Sequence, residues 1–170
     1  DLLKYFEEIK ENLKNGASSD YVASRGEYLS GVLMSAYIGY DFVDTTGLIK
    51  FDEKGKLMME ETDKALREEL QKHDNAVIPG FYGSGTDGFV KTFSRGGSDI
   101  TGALVARAVG ADVYENWTDV SGFLMADPRI IKNPLPIQRI SYKELRELSY
   151  MGASVLHEDA IYPVRIANIP

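Results

Sequence analysis

The 170-residue chain carries 19 basic and 26 acidic side chains, a formal net charge of −7. Its 44% hydrophobic and 26% charged residues are ordinary for a globular protein, and its length fits one domain. The acidic balance argues against nucleic acid as the main partner, because such binding depends on clustered lysine and arginine. The absence of cysteine excludes disulfides, thiolate nucleophiles and cysteine-based metal sites.

The hydropathy pattern also indicates in which cellular compartment the protein is expected. No apolar run approaches the roughly 20 residues that span a bilayer. No basic-then-apolar leader opens the chain at Asp1. We therefore expect a cytoplasmic protein with no membrane partner.

Apolar spacings of three and four predict two helices at the start of the chain, over residues 1–15 and 21–38. Short apolar runs and turn residues then predict strands that alternate with helices, which is typical of the α/β class with a largely parallel sheet. Strands are predicted at 40–44, 47–51, 76–78, 89–93, 111–117 and 164–166, and further helices at 60–73, from Ser98 or Asp99 to 110, at 141–151 and at 155–161.

A literal G-x-G-x-x-G pattern occupies residues 83–88. In a dinucleotide-binding fold, such glycines lead directly into a helix whose N-terminus holds the pyrophosphate. Here they lead into the alternating segment Phe89–Phe93, which is a poor helix start. The context favours a glycine-rich hairpin or loop over a nicotinamide or flavin site.

A stronger pattern is Ser-Arg-Gly-Gly-Ser-Asp at residues 94–99, directly before a predicted helix. Consecutive glycines allow close approach of a ligand to the backbone, and a helix N-terminus favours anions. Arg95 could hold a carboxylate or phosphate through two parallel hydrogen bonds. Asp99 alone could be an ordinary N-cap, but the combination favours an anion-binding site.

A third pattern follows the predicted strand at 111–117, where ligands collect in open α/β sheets. Thr118 and Asp119 offer donors and acceptors for a base or ribose, and Arg129 offers charge for phosphates. An Asx-turn at Asp119 and a proline turn at Asp127-Pro128 would explain the same residues without a ligand. Both readings stay open on this pattern alone.

Taken in order, these motifs resemble the aspartate kinases of the amino acid kinase superfamily. The resemblance covers about residues 20–170. It is carried by Ser-Arg-Gly-Glu-Tyr-Leu-Ser at 24–30, Gly-Phe at 80–81, Arg-Gly-Gly-Ser-Asp at 95–99, Trp-Thr-Asp-Val-Ser-Gly at 117–122, Ala-Asp-Pro-Arg at 126–129 and Gly-Ala-Ser-Val-Leu-His at 152–157.

The resemblance implies a three-layer α/β/α sandwich with a mostly parallel sheet. It also implies transfer of the γ-phosphoryl group of ATP to the side-chain carboxylate of L-aspartate, on the route to lysine, threonine and methionine. Residues 1–170 would be a catalytic domain whose first strand, with a catalytic lysine, lies before Asp1. The regulatory ACT domains would lie beyond Pro170. A homodimer and Mg²⁺ that arrives with ATP are implied in the same way.

The resemblance also implies roles for individual residues. Arg95 would clamp a carboxylate of aspartate, Glu27 would hold its ammonium end, and Ser98 would contribute to the same pocket. Asp99 would orient the catalytic groups. The nucleotide would be bound by Thr118, Asp119, Leu124, Arg129, Ser154 and Val155. Another kinase of the superfamily, acting on another carboxylate, a carbamate or a nucleoside monophosphate, is the alternative, as is a fragment that binds ligand without turnover.

Overall fold

The computed structural model describes residues 2–118, 122–150 and 158–170. Asp119, Ser154 and Val155 therefore lie outside the described residues. The α helices are α1 (Leu3–Lys14), α2 (Ser19–Ile38), α3 (Met59–Leu70), α4 (Gly97–Val109), α5 (Tyr142–Tyr150) and α6 (Glu158–Ile166), with a 3-10 turn at Thr45–Gly47. The strands are β1 (Asp41–Phe42), β2 (Ala76–Val77), β3 (Tyr82–Ser84) and β4 (Val90–Thr92).

Strands β1 and β2 form a parallel pair in which Phe42 lies opposite Val77. The pairing continues past both strands, because the Val43 N–H donates to the Val77 carbonyl at 3.0 Å. The carboxyl ends of the two strands therefore meet at one edge. Asp44 and the segment Pro79–Gly80–Phe81 follow from that edge, which is where open α/β folds collect ligands.

Strands β3 and β4 form an antiparallel hairpin across the glycine-rich pattern. Gly88 adopts φ +80° in the turn, and its N–H donates to the Gly85 carbonyl at 3.0 Å. A strand, not a helix, follows the glycines. The hairpin interpretation is confirmed, and residues 83–88 lack the geometry of a dinucleotide site.

Local sequence signals set both ends of α2 and the start of α5. The Ser18 hydroxyl accepts a hydrogen bond from the Tyr21 N–H and caps α2, which ends at Gly39 with φ +76°. Ser141 and Glu144 form the predicted capping box at the start of α5, where the Ser141 N–H donates to the Glu144 carboxylate at 2.9 Å.

Two apolar clusters flank α4. One joins it to α3 and the strands, and the other joins it to α5, α6 and the end of the chain. Members of the first include Ile49, Phe51, Leu66 and Leu104, and members of the second include Ala103, Leu145, Ile161, Val164 and Ile169. No helix in the described part of the chain is long and apolar enough to cross a membrane.

Three predicted elements are wrong. Residues 47–51 form the end of a 3-10 turn and isolated bridges from Lys50 and Phe51. Residues 111–117 form no strand, although the Tyr114 N–H donates to the Pro170 carbonyl. Residues 164–166 lie in α6, because Ala160, Ile161 and Val164 are buried at helical spacing.

Candidate functional site

Two consecutive glycines, Gly96 and Gly97, shape the start of α4, one through its backbone conformation and the other through close packing. Gly96 is the N-cap residue and adopts φ +60°, a region that glycine enters without strain. Gly97 is buried, and a Cβ atom there would lie 2.7 Å from both the Phe81 Cα and the Phe93 Cβ atoms. No side chain caps α4. The first turn therefore presents backbone N–H groups and the positive end of the helix dipole, which suit an anion.

Arg95 lies directly before this turn and is exposed. Its side chain lines a cavity of about 880 Å³ that also contacts Lys56, Glu60 and Arg107. The charged lining is thus three cations against one carboxylate. Residues 96–99 do not line this cavity, which lies beside α4 at Ile100 and Arg107 and reaches Tyr162 of α6.

Asp99, in the first turn of α4, is held by the segment that follows this helix. Its Oδ1 atom accepts a hydrogen bond from Asn116 Nδ2 at 3.2 Å. Its carbonyl accepts one from the Tyr114 hydroxyl at 3.1 Å. Burial, and secondarily the negative charge of Asp99, raise the pKa of Tyr114 to about 12. Tyr114 is therefore a protonated donor at neutral pH.

Tyr114 and Asn116 were missed by the sequence analysis. No local sequence pattern marks them, because both reach Asp99 through tertiary packing. Thr118 follows Asn116 by two residues, and Asn116 donates a hydrogen bond to Asp99. Thr118 itself is exposed.

The loop after β2 contacts both α2 and the start of α4. A Cβ atom on Gly80 would lie 2.9 Å from the Ser98 Cα atom, and one on Gly31 of α2 would lie 3.4 Å from the Pro79 Cβ atom. Phe81 adopts φ +62°, and its N–H donates to Thr101 Oγ1 at 3.1 Å. Helix α2 and the α4 start therefore both contact residues 79–81.

Glu27 precedes Gly31 by four residues, so the two lie on neighbouring turns of one face of α2. Its side chain is exposed. The N-terminal turn of α2 is tied to β4, because Thr92 Oγ1 donates to Asp20 Oδ1 at 2.6 Å and Lys91 Nζ lies 3.5 Å from Asp20 Oδ2. Helical spacing puts Glu27 one turn before Gly31, where an added Cβ atom would lie 3.4 Å from the Pro79 Cβ atom.

Two of the residues expected on the nucleotide side, Leu124 and Arg129, lie in the described segment that begins at residue 122. Leu124 is half-buried and bridges to Pro136. The exposed guanidinium of Arg129 makes hydrogen bonds with both carboxylate oxygens of Asp127, at 3.0, 3.1 and 2.7 Å. These bonds lower the pKa of the Asp127 carboxyl. In the described residues, every hydrogen bond of the Arg129 side chain goes to Asp127.

A protein-family model for the amino acid kinase family matches residues 3–170. The chain belongs to the amino acid kinase family. Aspartokinase 3 of Bacillus subtilis is 39% identical over 159 residues, which cover 89% of this chain and 35% of that protein. This relative confirms the resemblance to aspartate kinases.

Solved structures of aspartate kinases are similar to this chain in sequence and in fold. The aspartate kinase of Clostridium acetobutylicum is 55% identical and superposes with a TM-score of 0.89 over 99% of this chain and 38% of its own. E. coli aspartokinase III in complex with aspartate and ADP is 26% identical, with a TM-score of 0.82 over 99% of this chain and 42% of its own. The likeness confirms the predicted α/β fold with its parallel sheet. The chain spans between a third and a half of the length of these relatives.

Proposed function

We propose that the protein containing this chain transfers the γ-phosphoryl group of ATP to the side-chain carboxylate of L-aspartate and produces 4-phospho-L-aspartate. The observation that supports it most directly is the uncapped start of α4, with Arg95 before it and Asp99 in its first turn. The solved E. coli relative binds aspartate and ADP, which are the acceptor and the nucleotide product of this reaction.

The acceptor chemistry requires positioning more than acid–base catalysis. A carboxylate is already an anion at neutral pH, so no general base has to remove a proton. Arg95 would fix one carboxylate of aspartate through paired hydrogen bonds, with Ser98 beside it, and Glu27 would hold the ammonium group. An acidic side chain on α2 and a basic one at the start of α4, two elements that both contact residues 79–81, suit an amino acid zwitterion.

Phosphoryl transfer breaks the bond between the γ-phosphorus and the bridging oxygen of ATP and forms a bond to a carboxylate oxygen, so that ADP leaves. In the transition state, negative charge is spread over the three equatorial oxygens of the transferring group. The N–H groups at the start of α4 would stabilise it, and Arg129 would bind phosphate after releasing Asp127. Asp99, held by Asn116 and Tyr114, would orient the catalytic groups rather than exchange a proton. Thr118, Asp119, Leu124, Ser154 and Val155 would line the nucleotide pocket.

Mg²⁺ would enter with ATP. In the described ranges, no three or more His, Asp or Glu side chains are grouped to hold a metal ion. The cation would be coordinated mainly by phosphate oxygens and water, as Mg²⁺ commonly is. It would neutralise phosphate charge during the transfer.

We further propose that residues 1–170 belong to the catalytic domain of a cytoplasmic homodimer. A catalytic lysine is expected from a first strand, and regulatory ACT domains from a later part of the protein. The similarity to aspartokinases supports this arrangement.

The test is an acceptor panel with the full-length protein. ATP-Mg²⁺ is incubated with L-aspartate, L-glutamate, carbamate or uridine monophosphate; ADP release is followed, and acyl phosphate is trapped with hydroxylamine. We expect hydroxamate and ADP with L-aspartate well above the other acceptors. Turnover on another acceptor would move the protein elsewhere in the family, and ADP release without acceptor dependence would contradict phosphoryl transfer.

A further inference from the structure

Arg25 lies two residues before Glu27 and is 9% exposed. Its guanidinium carbon lies 4.4 Å from the centre of the Tyr21 ring, 4.5 Å from that of Tyr28 and 5.6 Å from that of Tyr82. Burying a cation is costly unless other groups compensate for its lost water. Three aromatic rings provide that compensation here through cation–π attraction.

The same guanidinium is fixed by hydrogen bonds within α2. Nε donates to the Tyr21 carbonyl at 3.3 Å and to Ser24 Oγ at 3.1 Å, and Nη2 donates to Ser24 Oγ at 2.9 Å. Arg25 forms no ion pair with any residue in the described ranges. A cation that is buried but unpaired, and oriented by its own helix, acts as a packing unit rather than as one half of a salt bridge.

The rings around Arg25 belong to different parts of the fold. Tyr82 lies in β3, and its hydroxyl donates to Asp44 Oδ1 at 2.9 Å, at the carboxyl edge of the β1–β2 pair. The Tyr28 ring packs edge-on against Phe42 of β1 at 5.3 Å. Arg25 therefore joins α2 to β3 through Tyr82, and to β1 indirectly through Tyr28, at the turn that carries Glu27.

We infer that Arg25 is a positioning residue for Glu27, and that it fixes the turn of α2 from which Glu27 reaches the ammonium group of the amino acid substrate. This inference rests on the proposed function. Glu27 lies between Arg25 and Tyr28 in sequence, so a shift of that turn moves its carboxylate directly. Arg25 does not itself touch the substrate.

The test is Arg25→Lys in the full-length protein. Lysine keeps the charge but has neither the planar group that stacks on the rings nor the second nitrogen that binds Ser24. We expect the KM for L-aspartate to rise about tenfold, the effect of losing roughly one such buried contact. The KM for ATP should stay within about twofold. Arg165→Lys is the matched control, because Arg165 also lies over a tyrosine ring, that of Tyr162 at 5.4 Å, on α6.

A double-mutant cycle separates positioning from general destabilisation. If Arg25 acts through Glu27, then Arg25→Lys has little further effect on the KM for aspartate in a Glu27→Gln background. Additive effects, or equal losses in kcat and in both KM values, would overturn the inference. If Arg25→Lys does not fold, Tyr21→Leu serves instead, because it removes one of the aromatic rings that contact Arg25. It should raise the KM for L-aspartate and leave the KM for ATP unchanged, whereas Tyr21→Phe keeps the ring and should change neither KM.

Hydrogen exchange supplies a readout that does not depend on the substrate. In Arg25→Lys, the α2 amides around residues 24–31 should exchange faster than in the wild type, with α4 amides unchanged. If the wild type does not phosphorylate aspartate, the proposed function fails, and exchange alone decides the inference about Arg25. Unchanged exchange in α2 would overturn it.

Discussion

Gly97 packs directly on Phe81, so that a Cβ atom added to Gly97 would lie 2.7 Å from the Phe81 Cα atom. The contact sets the start of α4 against the loop that follows β2. Because the close neighbour is backbone, it cannot move aside without displacing the loop. This packing holds Arg95, Ser98 and Asp99 at the carboxyl edge of the parallel strands.

Gly97→Ala should therefore destabilise the protein by about 1–3 kcal/mol, the usual cost of overpacking. Urea denaturation measures the change. Gly26→Ala on α2 is the matched control, because a Cβ atom there has no neighbour within 4 Å; it should stabilise the helix by about 0.5–1 kcal/mol. Equal effects of the two substitutions would contradict the packing argument.

Tyr82 should make stability fall at high pH. Burial, and then the charge of Asp44 and its hydrogen bond, raise the pKa of the Tyr82 hydroxyl far above its ordinary value. The unfolded chain loses this proton near pH 10 and the folded chain does not, so the contribution is present below about pH 10 and declines above it.

Tyr82→Phe removes the hydroxyl and its bond to Asp44. It should cost about 1 kcal/mol at neutral pH and flatten the decline above pH 10, both measured as urea midpoints. Tyr37→Phe, at a residue that is 85% exposed, should change neither quantity. If the stability of Tyr82→Phe declined above pH 10 as steeply as that of the wild type, Tyr82 would not be the cause of the decline.

His73 ties the end of α3 to the start of β1. Its Nδ1 atom lies 2.7 Å from Asp41 Oδ2, and its Nε2 atom lies 3.3 Å from Glu69 Oε1. The hydrogen bonds to Asp41 and then Glu69 raise the pKa of His73. Its contribution to stability should therefore be complete below the unfolded pKa, about 6.5, and be lost as the pH rises through the higher folded pKa.

NMR titration of the His73 ring measures this pKa directly. Asp41→Asn should lower it, because the substitution removes the largest cause of the shift. In urea denaturation, the stability difference between wild type and His73→Gln should shrink as the pH rises above neutrality. A stability difference between wild type and His73→Gln that grows as the pH rises would contradict a raised pKa of His73.

Arg129 should matter for ATP and not for aspartate. If it leaves Asp127 to bind phosphate, Arg129→Ala should raise the KM for ATP about tenfold through loss of a charge-assisted hydrogen bond. The KM for aspartate should stay unchanged in steady-state assays. Arg139→Ala, at an exposed arginine of the same loop region, is the control. A rise confined to the aspartate KM would place Arg129 on the other side of the site.

The elements with local signals were predictable from sequence. Helix α2 has its Ser18 cap and its Gly39 end, and the hairpin has its glycine turn. Residues 111–117 were misread because an alternating pattern defines a strand only when a neighbour pairs with it. Residues 164–166 were misread because packing of α6 on α4 outweighs the β propensity of Val164 and Ile166.

For the candidate site, the sequence placed Arg95, Ser98 and Asp99 at a helix start, and the structure does the same. Their partners could not be read from sequence. Asn116 reaches Asp99 across 17 positions, and Tyr114 reaches it across 15. Such contacts depend on tertiary packing and leave no local pattern. The roles of the site residues remain predictions.

The most direct test of this account is the effect of Arg95→Ala on acyl phosphate formation by the full-length protein with ATP-Mg²⁺ and L-aspartate. Losing a charged pair of hydrogen bonds to the substrate carboxylate should reduce kcat/KM for aspartate by roughly a hundredfold, while Arg139→Ala should match the wild type. A value for Arg95→Ala equal to that of Arg139→Ala would contradict the assignment of the α4 start as the acceptor site.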